Sequence, residues 1–230
     1  MSILDLFFPR KCLGCGREGS YFCSQCLNLV SLDRENICPV CERPSIDGAT
    51  HPRCFGRTTL DGLATVFAYK GLISKAITKL KYRFVSDLAS DLAELVVSFY
   101  GENKTFSRYC LEMKPVLVPI PLHPTREKWR GFNQSVLLGQ MIAKNLGLGF
   151  EPKLLVRVKN TTPQMKLKEK ERKENIRGAF RLSPNYQLPI TNNSILLFDD
   201  VWTSGSTLKE AGRVLKEGGS RTVWGLTLAR

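Results

Sequence analysis

Near the start of this 230-residue chain, four pairs of potential metal ligands stand at one spacing. They are Cys12/Cys15, Cys23/Cys26, Cys38/Cys41 and His51/Cys54. Two intervening residues let a single tight turn present both members of a pair to one ion, and soft thiolates with an imidazole suit tetrahedral zinc. Eight ligands make two sites of four. Pairing neighbour with neighbour and a cross-braced alternation both satisfy the pattern, and the short step from Cys15 to Cys23 favours the sequential form. Ligands in complete fours leave no coordination position for substrate, so the expected ions are structural. His51 is the least secure member, since an exposed loop histidine would look the same. Cys110 stands apart and reads as an inert thiol.

A second constellation lies toward the other end. Ile195-Leu196-Leu197-Phe198 runs into Asp199 and Asp200, followed after Val201 and Trp202 by Thr203, Ser204, Gly205, Ser206, Thr207 and Leu208. Residues 203–207 offer hydroxyls and backbone N–H groups, Gly205 permits close approach, and a helix starting there would aim its positive end at a bound anion. Adjacent carboxylates repel unless something relieves them, and a ribose diol with a divalent metal nearby does so. Any one of these features also occurs in an ordinary turn capped by Ser or Thr. Their conjunction points to a sugar phosphate.

These groups need elements to hold them. Residues 10–57 are rich in Cys, Gly, Pro and charge, with too few large apolar side chains for a core, whereas apolar periodicity becomes regular from Leu60 onward. Two units are expected: a cysteine-rich zinc module over residues 1–58 and an α/β domain over 59–230. In the second, the patterns predict strands at 64–69, 115–121, 153–158, 179–182, 194–198 and 222–228. Helices are predicted at 72–84, from Asp87 to Gly101, at 134–146 and at 207–217. In the first helix Ile73, Ile77 and Leu80 share one face, and Lys75, Lys79 and Lys81 occupy the other. A basic loop follows the strand at 115–121, and the charged stretch 159–177 reads as a mobile loop or exposed hairpin. Strands alternating with helices imply a doubly wound, mostly parallel sheet.

The formal net charge of +13 exceeds what solubility requires and suggests an anionic partner: phosphate, nucleic acid or an acidic surface. The longest apolar run, 88–100, is interrupted by Asp91 and Glu94 and is too short for a bilayer span, so no membrane insertion is expected. Residues 1–10 lack the basic and apolar regions of a secretory leader, and paired cysteines in a reducing compartment favour metal over disulfides. A cytoplasmic location is the expectation.

The string from Ile195 to Leu208 closely resembles the phosphoribosyl pyrophosphate motif of type I phosphoribosyltransferases, with Asp199 and Asp200 as the acidic pair and residues 203–207 as the 5′-phosphate loop. Val118-Pro119-Ile120-Pro121-Leu122-His123, then Arg126, Arg130, Gly131, Phe132, Asn133 and Gln134, resembles the ComF (ComFC) family of competence-associated proteins. So do the segment with Thr162-Pro163-Gln164, Leu167, Arg172, Asn175 and Gly178-Ala179-Phe180, and the zinc module. The resemblance covers nearly the whole chain. It implies a phosphoribosyltransferase fold with a flexible hood over 159–177, a pyrophosphate-binding turn near Pro121, magnesium alongside phosphoribosyl pyrophosphate, and a role in natural transformation.

If the site is catalytic, the resemblance implies displacement of pyrophosphate from the anomeric carbon. Arg126 and Arg130 would act as charge clamps on the leaving group, and Arg172 on the hood would close over it. His123 reads as shaping the strand end rather than as a base. No segment names an acceptor. Against the enzyme stand two binding roles on the same fold: a single-stranded DNA module working with other DNA-uptake proteins, and a nucleotide-sensing regulator. For DNA, Trp129 and Phe132 lie among Arg126, Lys128 and Arg130, and Trp202 sits in the phosphate loop, where aromatic groups beside cations could stack bases.

Overall fold

The computed structural model of the chain describes residues 10–30, 35–82, 86–100, 103–161, 169–184 and 191–230. In chain order its strands are β1 (Gly62–Phe67), β2 (Val116–Pro119), β3 (Leu155–Arg157), β4 (Phe180–Leu182), β5 (Ser194–Val201) and β6 (Thr222–Ala229). Four of them form a wholly parallel sheet in the order β1-β6-β5-β2, while β3 and β4 pair antiparallel in a small sheet of their own.

The all-apolar run at the start of β5 explains its central place. Leu196 and Phe198 enter the core on one face of the sheet, and Ile195 and Leu197 enter it on the other. A strand buried on both faces has no side to give to water.

The helices are α1 (Ser24–Leu27), α2 (Gly71–Tyr82), α3 (Ser86–Tyr100), α4 (Lys104–Met113), α5 (Pro124–Arg130), α6 (Gln134–Leu146), α7 (Glu169–Ile176) and α8 (Ser206–Glu217). On the first face, α2, α3, α4 and α6 bring Ile77, Leu92, Phe106 and Leu138 against Leu196, Phe198 and Trp224. On the second, Leu208 and Leu215 of α8, with Leu155 and Phe180 of the small sheet, cover Ile195 and Leu197. The sheet is thus doubly wound, and a zinc-ligand module precedes it, as the sequence predicts.

Three segments differ from the sequence reading. Residues 104–113 form a helix that the patterning does not announce. Its polar surface hides a short buried stripe of Phe106, Tyr109 and Cys110, and Asn103 caps it by accepting from Phe106 N at 2.8 Å. The expected basic loop after β2 is instead α5, with His123 as N-cap, Pro124 in the first turn and Gly131 left-handed at the end. The stretch 159–177, expected as a mobile loop or exposed hairpin, instead carries α7 between the antiparallel strands β3 and β4. Thr162, Pro163, Gln164 and Leu167, which contribute to the family resemblance, lie outside the described residues, as does Phe84 at the expected end of α2.

The cysteine-rich segment is fastened to the start of α4 by polar contacts. Asn103 Nδ2 donates to Asp47 O at 3.0 Å and Thr105 Oγ1 to Asp47 Oδ2 at 2.9 Å. Asp61, just before β1, accepts from Val223 N at 2.5 Å and pairs with Lys216 at 2.8 Å, both side chains being nearly fully buried. Among the described residues, no helix is long and apolar enough to cross a membrane.

Candidate functional site

The cysteine pairs gather into two clusters: Cys12, Cys15, Cys23 and Cys26 in one, and Cys38, Cys41, His51 and Cys54 in the other. The sequential pairing is therefore the one adopted. Within each cluster the ligand atoms lie within 4.8 Å of one another. Tetrahedral zinc with Zn–S near 2.3 Å sets sulfurs about 3.8 Å apart. Cys12 to Cys23 and Cys15 to Cys23 measure 3.6 and 3.7 Å, so the first cluster has the size of a zinc site.

In the second cluster, His51 turns Nδ1 toward Cys41 Sγ at 3.4 Å, while its Nε2 lies 3.0 Å from Pro44 O. A proton on Nε2 donated to that carbonyl leaves the Nδ1 lone pair for the ion, the usual outer contact of a metal-binding imidazole. Both donor sets fit structural zinc. Gly14 is required for close approach, since a Cβ there would meet Cys26 Sγ at 2.6 Å.

The second site is a cavity of about 460 Å3 beyond the carboxyl ends of β2 and β5, where parallel α/β sheets bind ligands. Arg126, Arg130, Arg172, Asp199, Asp200, Thr203 and Thr207 all line it. The acidic pair stands within β5, which runs on through Val201. Ser204 and Ser206 sit deeper, bonded to each other at 2.8 Å between their hydroxyls. Gly205 is left-handed (φ +65°), and a side chain there would run into the ring of Trp202. No side chain caps α8 at Gly205, where the helix begins with its positive end.

Further residues complete the cavity. Lys81, at the end of α2, reaches Asp200 Oδ2 at 2.9 Å, and Gln134 Nε2 donates to the same oxygen at 3.2 Å. Ser135 Oγ donates to Asp199 Oδ1 at 3.2 Å. Desolvation, then the neighbouring Asp200, pushes the Asp199 carboxyl up to about 7. Burial opposes the charge of Lys81, yet Asp200 and Asp199 together raise its pKa.

Arg157 of β3 is also buried in the lining. Burial, then Arg126, lowers its guanidinium to about 10. Arg126 and Arg157 converge on Thr161, the first donating to its carbonyl at 2.9 Å and the second to its hydroxyl at 2.5 Å. The Nε atoms of Arg130 and Arg157 are buried with no partner among the described residues. Such nitrogens are costly unless an anion meets the guanidinium.

Residues 3–55 match the double zinc ribbon domain family. Over most of its length the chain is similar to the DNA utilization protein YhgH of Salmonella typhimurium, at 33% identity over 87% of this chain and 86% of that protein. It is similar to competence protein F of Haemophilus influenzae at 28% identity over 96% and 86% of the two chains. With competence protein ComFC of Bacillus subtilis it shares 32% identity over 90% of this chain and 83% of the other. The chain belongs to the ComF family.

Within this ComF protein, the sequence alone singles out Thr203 and Thr207, and Arg126 and Arg130 of the helix after β2, as lining residues of the cavity, but not all their neighbours. Lys81 reads as part of a solvated face, although it stands four residues after the buried Ile77, at the edge of the covered stripe. Arg157 carries the signal of sharing a face of β3 with the buried Leu155, an inward position for a charge. Of the three tryptophans, Trp202 and Trp224 are buried, and only Trp129 is open, at 76% exposure on the cavity rim. Trp202 is therefore core packing beneath the loop and not a stacking surface.

Proposed function

We propose that the cavity binds phosphoribosyl pyrophosphate with magnesium and that the protein acts in DNA uptake as a phosphoribosyltransferase-like member of its family. The observation that carries this reading is the convergence on one cavity of three different recognition groups. A paired carboxylate suits a ribose diol, a hydroxyl loop at a helix N-terminus suits a terminal phosphate, and Arg126 with Arg130 suits a pyrophosphate. The names of the relatives, competence and DNA utilization proteins, support the cellular role.

Asp199 and Asp200 would hold magnesium, which would supply charge neutralisation there. Arg126 and Arg130 stabilise charge on the departing pyrophosphate, Arg172 closes the cavity from the α7 side, and Ser135 and Gln134 orient the carboxylates. We propose the unit boundary near residue 58 and a cytoplasmic location on the sequence grounds given above.

Calorimetric titration of the zinc-loaded protein with phosphoribosyl pyrophosphate and magnesium tests the site. Micromolar affinity lost in the double variant Asp199→Asn/Asp200→Asn is the expected result, and it would justify an acceptor screen. A second reading, single-stranded DNA binding at the same mouth, is favoured by the exposed Trp129 between Lys128 and Arg130. DNA affinity that is steeply salt-dependent and survives the acidic-pair variant, with no sugar-phosphate binding, would replace the first reading by this one.

A further inference from the structure

We infer that Gln134 is a positioning residue that couples the pyrophosphate side of the cavity to its ribose side; the inference rests on the sugar-phosphate reading above. An unbroken line of side-chain contacts crosses the cavity floor. Arg130 Nη1 donates to Gln134 Oε1 at 2.5 Å, Gln134 Nε2 donates to Asp200 Oδ2 at 3.2 Å, and that oxygen also meets Lys81 Nζ at 2.9 Å.

The order of groups is cation, neutral amide, anion, cation. Only a side chain with an acceptor at one corner and a donor at the other satisfies a guanidinium and a carboxylate at once. Rotating the amide by half a turn would set donor against donor and acceptor against acceptor, so its orientation is fixed by its partners.

Three further observations make this line rigid. Gln134 is 5% exposed and Asp200 6%, so water has little room to replace either contact. Gln134 opens α6, whose start is anchored by Asn133: its carbonyl oxygen caps Ser135 N at 2.9 Å and its amide donates to Ile120 O at 3.0 Å at the end of β2. Arg130 has a buried Nε without a partner among the described residues, so its guanidinium direction depends on the contact it does make. The direction of Arg130 therefore depends on where Asp200 stands, and the ligand's two ends are read by one connected device. Sequence motifs would assign these residues to separate pieces, because 66 positions separate Gln134 from Asp200.

A double-mutant cycle on pyrophosphate binding isolates the coupling, since the bulk electrostatic effect of deleting the Asp200 charge is common to both backgrounds and cancels. Pyrophosphate is titrated calorimetrically into zinc-loaded full-length wild type, Gln134→Met, Asp200→Ala and the double variant. Asp200→Ala is expected to change pyrophosphate affinity by a factor that differs at least threefold between the wild-type and Gln134→Met backgrounds. A ratio below threefold overturns the inference while leaving the sugar-phosphate reading in place. Wild type that binds neither pyrophosphate nor ribose 5-phosphate sinks both.

The circular dichroism spectrum and zinc stoichiometry of Gln134→Met are expected to match wild type while the coupling is lost, which separates repositioning of Arg130 from general damage. Should Gln134→Met fail to fold, Gln134→Glu keeps the acceptor for Arg130 and removes the donor to Asp200. It is expected to abolish the coupling equally, and retention of the full coupling in Gln134→Glu overturns the inference.

Discussion

The zinc clusters and the cavity both crowd like-charged groups together, yet they resolve the crowding in opposite ways. Each cluster is a complete set of four ligands, and in the second the outer contact from Pro44 to His51 is already made. The cavity is incomplete. Two carboxylates share one lysine, two arginines share one threonine, and two guanidinium Nε atoms are buried without partners among the described residues. A closed ligand set stabilises a fold, whereas an open one sacrifices stability to remain ready for a ligand. The difference separates the region that holds from the region proposed to act.

Removing the ion should expose the contrast most strongly. Zinc contributes on the order of 10 kcal/mol to folding small metal modules, and the cysteine-rich segment buries few large side chains, among them Phe22 and Ile37. Chelation is expected to free the amides of residues 12–54 to hydrogen exchange while β5 and β6 stay protected. Equal loss in both regions would break the comparison.

Next in size is the buried pair beside β1. Lys216→Met leaves buried Asp61 without its counter-charge, held among the described residues only by the hydrogen bond from Val223 N, which costs about 3–5 kcal/mol. Denaturant unfolding should show that loss in the sheet transition, with zinc stoichiometry unchanged.

The pH dependence sharpens the comparison on the cavity side. Burial, then the neighbouring Asp200, pushes the folded-state Asp199 carboxyl up to about 7 from an ordinary value near 3.8. The folded state therefore holds a proton that the unfolded chain has released. The group's contribution to stability is full below about pH 4 and is lost as pH rises toward and through 7. Asp199→Asn is expected to flatten the fall in Tm between about pH 5 and 7.5, and an unchanged slope would contradict the assignment. Smallest is Asn103→Ala, which removes both the α4 cap and the tie to Asp47, for about 1–2 kcal/mol by thermal unfolding.

Residues whose partners are near in sequence are legible from the sequence itself. Two-residue spacing reveals the ligand pairs, and the apolar run followed by hydroxyls reveals β5 and its loop. Helix α6 and the apolar faces of α2 and α3 follow from their period. What escapes is decided at a distance. The stripe on α4 is too short to stand out among Lys104, Arg108 and Glu112, and it acquires meaning against Trp224 across the sheet. Helix α5 does carry a local signal, Pro124 in the first turn and Gly131 past the end, but its basic surface reads as loop. Lys81 looks like a solvent-facing charge until β5 is brought beside it.

The sheet order has one more consequence, for how the molecule comes together. Among the described strands β1 pairs with β6 alone, Gly62 opposite Trp224, so that edge cannot close until residues from distant parts of the chain have met. Each zinc cluster closes over ligands from Cys12 to Cys26 or from Cys38 to Cys54. Loop closure over so short a span is fast, and pairing across so long a span is slow. In refolding with zinc present, the ribbons should form first and stand as a preassembled lid on an unfinished sheet.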